Sequence, residues 1–179
     1  MLQKLTGLIE RIATIRLLLL LTLLSILFPV FIFPAAGIGG DIPLDLYMSY
    51  SPGQVYEYLG GLGASGRSAY AKMELTTDLL FPVVYSLALT VALVMAARRL
   101  LPPDSRLRYV YLFPWLIMIA DWCENLSLVA VIHAYPDQLD TLVMAASLFT
   151  SVKWGFLALT VIMLLVAGAM LVAMRFRSR

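Results

Sequence analysis

The sequence predicts an all-α fold, a four-helix transmembrane bundle with an N-terminal interfacial helix and an external loop helix. Of its 179 residues, 61% are hydrophobic and only 13% are charged. Crossing a hydrocarbon core of about 30 Å takes about 20 helical residues. Four apolar runs approach or exceed that length, at 17–33, 75–97, 109–132 and 147–174. None of them alternates with the period of a strand, so we expect a single transmembrane domain over residues 1–179.

Basic residues gather at one end of every span, which predicts the orientation. Ten of the thirteen lysines and arginines lie there: Lys4, Arg11, Arg16, Arg98, Arg99, Arg106, Arg108, Arg175, Arg177 and Arg179. Loops rich in Lys and Arg stay in the cytoplasm. We therefore expect a multi-pass protein of the cell (inner) membrane with both termini cytoplasmic and the segments 34–74 and 133–140 outside.

The N-terminal residues 1–15 have leucines and isoleucines on one helical face and charged residues opposite, as in a helix lying on a membrane surface. The first span, with its basic start, also resembles a signal peptide, and residues 34–37 (Pro-Ala-Ala-Gly) would suit a cleavage site. Because the apolar run is long for a signal peptide and contains Pro29, a membrane anchor is the favoured interpretation.

The external segment 34–74 is predicted to contain a helix of its own. Apolar and polar residues alternate over 44–48, which indicates a short extended piece. Ser51 then suits an N-cap, with Pro52 at the first helical position and Gln54 completing a capping box. This helix is expected to stop in the glycines at 60–63. A lid and a merely interfacial helix remain equally open interpretations.

The second span carries a polar stripe. Its members recur at spacings of 3, 4, 4, 4 and 3 residues, which keeps them on one helical face. They are Arg67, Tyr70, Glu74, Asp78, Pro82 and Tyr85. Such a stripe is costly to insert into lipid, so we expect it to face the bundle interior. Pro82 has no N–H and frees the carbonyl of Asp78, which another donor must satisfy.

The third span places Asp121, Glu124 and Asn125 at i, i+3 and i+4, on one face of a helix. An ionisable group at the bilayer centre costs about 2.5–3.5 kcal/mol, so this face must look into a bundle or a wet cavity. Since two adjacent carboxylates repel each other, one acid is expected to keep its proton. That arrangement serves general acid–base chemistry, a proton relay or a polar-ligand pocket.

Lys153 is the one basic residue within the fourth apolar run, with Thr150 on the same face. Three interpretations stay open for it. It pairs with Asp78 or Glu124 and joins two helices, it extends to the outer headgroups, or it belongs to a binding site.

Several site classes are excluded or disfavoured. One cysteine, Cys123, and one histidine, His133, build neither a disulfide framework nor a thiolate or multi-histidine metal centre. Carboxylate oxygens suit Mg²⁺, Mn²⁺ or Ca²⁺, but the sequence has no EF-hand or HExxH spacing, and we predict no metal site. It has no phosphate loop or nucleic-acid motif either. We therefore predict no nucleic-acid partner, and no particular cofactor is indicated.

Two resemblances concern these motifs. The pattern GRxxY…DxxFPxxY over 66–85, followed by DWxEN over 121–125, resembles a group of bacterial four-span membrane proteins and implies their architecture without an activity. The layout is also similar to the EXPERA group, which includes sterol Δ8-Δ7 isomerase and the sigma-2 receptor. Glu74, Asp78 and Pro82 match that group's buried acids followed by proline, whereas the isomerase's membrane histidine has no counterpart here.

The favoured function is the binding, and in an enzymatic version the transformation, of a small lipid-like molecule with one polar end. The cavity is expected to be acidic and open toward the outer leaflet. The predicted catalytic groups are Asp121, Glu124 and Asp78, and the predicted ligand-binding residues are Arg67, Tyr70, Glu74, Tyr85, Asn125 and Lys153. A proton- or ion-coupled transport element and a non-catalytic assembly or stability factor are the alternatives. The expected partners are membrane lipids, with a homo-oligomer or another membrane protein as further candidates.

Overall fold

A computed structural model describes residue 7 and residues 9–35 and 43–177, and within this part all regular structure is helical. Five helices and their connections follow in chain order, and they confirm the predicted all-α bundle. They are α1 (Ile15–Leu27), a π-helical segment Phe28–Ile32 with a last turn Phe33–Ala35, a 3₁₀ turn Leu44–Leu46, α2 (Pro52–Leu75), α3 (Thr77–Leu100), a 3₁₀ segment Arg106–Leu112, α4 (Phe113–Ala134) and α5 (Asp140–Arg177).

Four helical runs of the described chain are long and apolar enough to cross a membrane: Ile15–Ile32, Pro52–Leu100, Arg106–Ala134 and Asp140–Arg177. Residues 9–14 and the 101–112 connection lie on one side of the bundle, called here the terminal face. The opposite side, the loop face, carries the segment 43–51 and the 135–139 connection. The protein is therefore an integral membrane protein whose apolar outer surface suits lipid.

Two apolar cores lie one above the other along the bundle. The core near the loop face joins α2, α4 and α5 through residues such as Leu59, Leu128 and Val143. The core near the terminal face joins α1, α3 and the 3₁₀ segment through Val91, Tyr111 and their neighbours. Along α3, α4 and α5 the buried charged residues Asp78, Asp121, Glu124 and Lys153 fall between these two cores. A polar layer is thus enclosed by apolar packing on both sides.

The start of α1 is fixed to the terminal face. Thr14 caps the helix, its Oγ1 accepting a hydrogen bond from the Leu17 N–H at 3.3 Å. Residues 9–12 are helical, and Ile9 is buried in the core near this face. Arg98 donates a hydrogen bond to the Ala13 carbonyl at 2.9 Å. This end of the predicted interfacial helix therefore packs on the bundle; residues 1–6 and 8 lie outside the described part.

The external segment differs from its prediction in one place. The capping box of Ser51 and Gln54 is confirmed. The extended piece over 44–48 was wrong, because Leu44–Leu46 forms a 3₁₀ turn that buries Leu44. The predicted stop in the glycines is confirmed: Gly63 has non-helical backbone angles (φ +63°, ψ 179°), so Pro52–Leu75 consists of two helical stretches that meet at a kink there. Only glycine adopts that conformation at little cost.

Tertiary packing holds both stretches of α2 on the bundle, on either side of the kink at Gly63. A glycine inside a helix costs about 1 kcal/mol relative to alanine. Leu59 before the glycines and Tyr70 after them are both fully buried in the core near the loop face, so burial on both sides offsets that cost. The chain breaks again at Thr76 (φ −121°, ψ −79°), just before α3 begins. Much of the external segment predicted at 34–74 is therefore helical.

Candidate functional site

The predicted polar face of α4 is buried, as expected. Asp121 is 4% exposed, and Glu124 and Asn125 are fully enclosed. Because the three residues share one face, all of them look toward α3 and α5. The predicted stripe on the second span meets them there, through Asp78 and Tyr85 of α3.

Asn125 holds α4 against the proline kink of α3. Its Nδ2 group donates to the Asp78 carbonyl at 3.0 Å and to Asp78 Oδ2 at 2.9 Å. That carbonyl is the one that Pro82 cannot satisfy, because proline has no N–H. The prediction that a neighbouring donor must reach it is confirmed, and it assigns a structural task to Asn125.

Lys153 pairs with two acids of α4. Its Nζ lies 2.7 Å from Glu124 Oε2 and 3.5 Å from Asp121 Oδ1, and the residue is 6% exposed. The predicted pairing with Glu124 is confirmed, and an extension to the headgroups is wrong. Asp78, the other predicted partner, forms its side-chain hydrogen bond with Asn125 instead.

Glu124 is surrounded by donors. Besides Lys153, the Tyr50 hydroxyl donates to Glu124 Oε1 at 3.2 Å, and the Thr150 hydroxyl donates to the same oxygen. Burial raises the pKa of Tyr50, and the nearby Glu124 raises it further, so Tyr50 stays a hydroxyl donor. Tyr50 precedes α2 and belongs to no helical stripe, so periodicity gave no signal for it.

Asp121 has a different environment from Glu124. Its Oδ2 accepts a hydrogen bond of 2.6 Å from the Tyr85 hydroxyl, while its Oδ1 faces Lys153. Both Asp121 and Tyr85 line an open space, whereas Glu124 does not. Glu124 is therefore enclosed by packed side chains, whereas Asp121, one helical turn away, lines the cavity.

The polar stripe reaches the interior along most of its length. Tyr70 and Glu74 are fully buried, and neither carboxyl oxygen of Glu74 has a well-oriented hydrogen bond within the described residues. Arg67 lies apart from the cluster. Its guanidinium donates to the Leu59 carbonyl at 3.0 Å and lies 4.1 Å from the Tyr135 ring centroid, a cation–π contact.

A cavity of about 690 Å³ extends from this cluster between α1, α3 and α5. Its polar end is formed by Asp45, Asp78, Asp121 and Lys153, with Tyr85 beside them. Its remaining wall is mainly apolar: Pro29, Phe33, Pro34, Pro43, Leu46, Met73, Phe81, Ala88, Leu89, Trp154 and Leu157, with Thr22 and Ser25 on α1. Asp78 and Leu89 are eleven residues apart on α3, so the cavity spans roughly 16 Å along that helix.

Asp45 is a cavity residue that no sequence pattern predicted. It lies in the segment 43–51, which is fastened to α5 because Trp154 Nε1 donates to the carbonyls of Asp45 (3.3 Å) and Tyr47 (3.0 Å). Burial raises the pKa of the Asp45 carboxyl, although the charge of Lys153 opposes that change. A lone acid outside every helix carried no periodic signal.

The cluster contains more acids than bases. Asp45, Glu74, Asp78, Asp121 and Glu124 lie together, and in the described part of the chain their ion pairs are all with Lys153. The described residues contain no group of three or more His, Cys, Asp or Glu side chains placed to hold a metal ion. The arrangement can accept hydrogen bonds or protons at the end of an apolar space.

Comparison with known proteins does not assign a function to this cluster. No family model matches the chain, and no curated protein or solved structure matches it at the significance threshold applied. Function must therefore be argued from the site itself.

Proposed function

We propose that this membrane protein binds a small lipid-like molecule, with its apolar part in the cavity between α1, α3 and α5 and its polar end at Asp78 and Asp121. The observation that carries the proposal is the shape of the cavity, which is apolar along most of its length and charged at one end. Ligand sites commonly have volumes of about 300–1,000 Å³ and a few polar groups that fix orientation.

The surroundings of the cavity favour entry from the membrane. α1 packs against α3 and shares no extended interface with α5, and the cavity occupies the space between those two helices. Both helices expose mainly apolar residues on their outer sides. A molecule dissolved in lipid would reach the cavity between them without crossing water.

If the bound molecule is also transformed, the reacting groups would be the acids that touch the cavity. Asp121 and Asp78 line it, and the Tyr85 hydroxyl donates a hydrogen bond of 2.6 Å to Asp121, which orients that carboxyl group. Glu124 would act indirectly, because it holds Lys153 at 2.7 Å and lies outside the cavity lining.

The two alternative functions have less support. A proton- or ion-coupled transporter needs a polar path to the terminal face, but the layer below Tyr85 is the apolar core that contains Leu21, Val91 and Val94. A purely structural role for the cluster would be favoured by complete pairing without a cavity. Here Asp45 Oδ1 is shielded from solvent without a hydrogen bond to any described residue, beside a large cavity.

A pair of tryptophan variants on α5 tests the proposal. Leu157 lines the cavity, whereas Leu159 is 42% exposed on the outer side of the same helix. Leu157→Trp should fill the cavity, and Leu159→Trp adds the same side chain elsewhere. Each variant is purified from membranes in mild detergent, and the bound amphiphiles are identified by native mass spectrometry.

The wild-type protein and Leu159→Trp should retain a bound amphiphile, and Leu157→Trp should lose it while keeping its melting temperature. Equal retention by both variants would refute binding in this cavity. A wild-type protein without any bound amphiphile, which also takes up none when long-chain alcohols, amines and acids are added, would refute the proposed function.

A further inference from the structure

We infer that the polar end of the cavity selects amphiphiles whose headgroup donates hydrogen bonds and carries no negative charge, with Asp45 as the selecting carboxyl. This inference rests on the proposed function and names the class of ligand for the same cavity. Hydroxyl and protonated amine headgroups share this chemistry, whereas carboxylates do not.

The charges at the polar end oppose an anion. Three carboxyl groups line it, those of Asp45, Asp78 and Asp121, against the single ammonium of Lys153. That ammonium is already compensated, 2.7 Å from Glu124 and 3.5 Å from Asp121. An anionic headgroup would have to compete with Glu124 for Lys153 while it faces the three cavity carboxyls. Like charges brought together in a desolvated site strongly disfavour binding.

Three side chains near this end already use their hydrogen-bond donors within the protein. The Tyr85 hydroxyl donates to Asp121, and Trp154 Nε1 donates to backbone carbonyls of the segment 43–51. Asn125 donates both of its observed bonds to Asp78. A headgroup that only accepts hydrogen bonds would therefore find these three donors occupied and would have to share the ammonium of Lys153 with Glu124 and Asp121.

The acceptors, in contrast, exceed the donors. Asp45 Oδ1 is shielded from solvent and has no hydrogen-bond partner among the described residues, and Asp45 lines the cavity. A carboxylate accepts hydrogen bonds through two oxygens with about four lone-pair sites, and a buried acceptor without a donor is costly. A ligand that brings a donor to Asp45 satisfies this group.

Asp45 is fixed in position by contacts outside its own side chain. Trp154 holds the carbonyls of Asp45 and Tyr47, and the Ser151 hydroxyl donates to the Met48 carbonyl at 3.0 Å. The segment 43–51 is thus attached to α5 at several points. Removing the charge of Asp45 should therefore alter selectivity without releasing the segment.

The test uses three amphiphiles with the same chain: tetradecanol, tetradecylamine and tetradecanoic acid. Each is titrated into the delipidated full-length protein at neutral pH, and the bound fraction is measured by native mass spectrometry. The alcohol and the amine should bind, and the acid should bind at least about tenfold more weakly. Equal affinity of the acid overturns the inference and leaves the proposed function standing, whereas failure of all three to bind counts against the proposed function itself.

Asp45→Asn tests the assignment of the selecting group, with Asp137→Asn as the matched control. Asp137 is exposed on the loop face, outside the cavity lining. Asp45→Asn should at least halve the discrimination against the acid, while the control keeps the wild-type ratio. A ratio that stays unchanged in Asp45→Asn, with an unchanged melting temperature, would overturn the role of Asp45.

Discussion

Replacing Lys153 with methionine should destabilise the bundle strongly. The Lys153 ammonium lies 2.7 Å from Glu124 Oε2 and 3.5 Å from Asp121 Oδ1, and only 6% of the residue is exposed. Methionine has a similar length and no charge, so the variant leaves two buried acids without their cation. Breaking a buried ion pair by removing one partner costs about 3–5 kcal/mol. With two acids affected, we expect the upper part of that range.

The free energy of unfolding is measured by denaturant titration in detergent, followed by circular dichroism. Lys72→Met is the control, because Lys72 is exposed on α2 and the same substitution there should change stability by less than about 0.5 kcal/mol. Combining Lys153→Met with Glu124→Gln should recover part of the loss, since one unpaired charge disappears with its partner. Equal stabilities of Lys153→Met and Lys72→Met would refute the conclusion that this pair joins α4 to α5.

Three further predictions concern single positions. Glu124→Gln should lose about 3 kcal/mol of stability because it removes the carboxylate that pairs with Lys153. Asp121→Asn should lose less stability but should no longer retain the bound amphiphile. Melting curves and native mass spectra that showed the reverse would contradict these separate roles of the two acids. Because the pKa of Asp45 is raised in the docked segment, the docked state binds a proton more tightly than the released state. Docking of the segment 43–51 should therefore weaken as pH rises above the usual carboxyl range. A spin label on the segment would report this as rising mobility, absent in Asp45→Asn. After the native cysteine is replaced by alanine, Glu57→Cys should react with an impermeant thiol reagent in intact cells and Arg106→Cys only after lysis; the opposite pattern would reverse the proposed orientation.

The sequence predicted the residues whose signal is periodic. Four apolar runs gave the bundle, and the i, i+3, i+4 spacing of Asp121, Glu124 and Asn125 placed them on one buried face. Because Pro82 has no N–H, the Asp78 carbonyl was predicted to need a donor from outside its own helix, and Asn125 supplies it. These inferences depend only on helix geometry and on the cost of polar groups in lipid, so they hold without tertiary information.

Tertiary packing decided the rest. The glycines of α2 predicted a helix end, and the chain kinks at Gly63; the burial of Leu59 and Tyr70 in one core decides how the two helical stretches lie on the bundle. Asp45 and Tyr50 enter the cluster because the segment 43–51 folds back onto α5, and no local pattern in that segment indicates where it docks. Arg67 shares the stripe of Asp78, but it lies at the stripe's outer end and contacts Tyr135 instead.

The division of labour between Asp121 and Glu124 follows from their positions around Lys153. Both acids contact the same ammonium, and they differ in their second neighbours: Glu124 meets Tyr50 and Thr150, whereas Asp121 meets Tyr85 and the cavity. Glu124 thereby ties α5 and the segment 43–51 to α4, and that packing keeps the polar end of the cavity in place. Asp121 keeps its Tyr85 contact at the cavity wall, where the proposed ligand's headgroup would reach it. The proposed site uses both kinds of acid, because a buried charged group that faces a cavity lowers stability unless its counter-ion is held in place, as Glu124 holds Lys153.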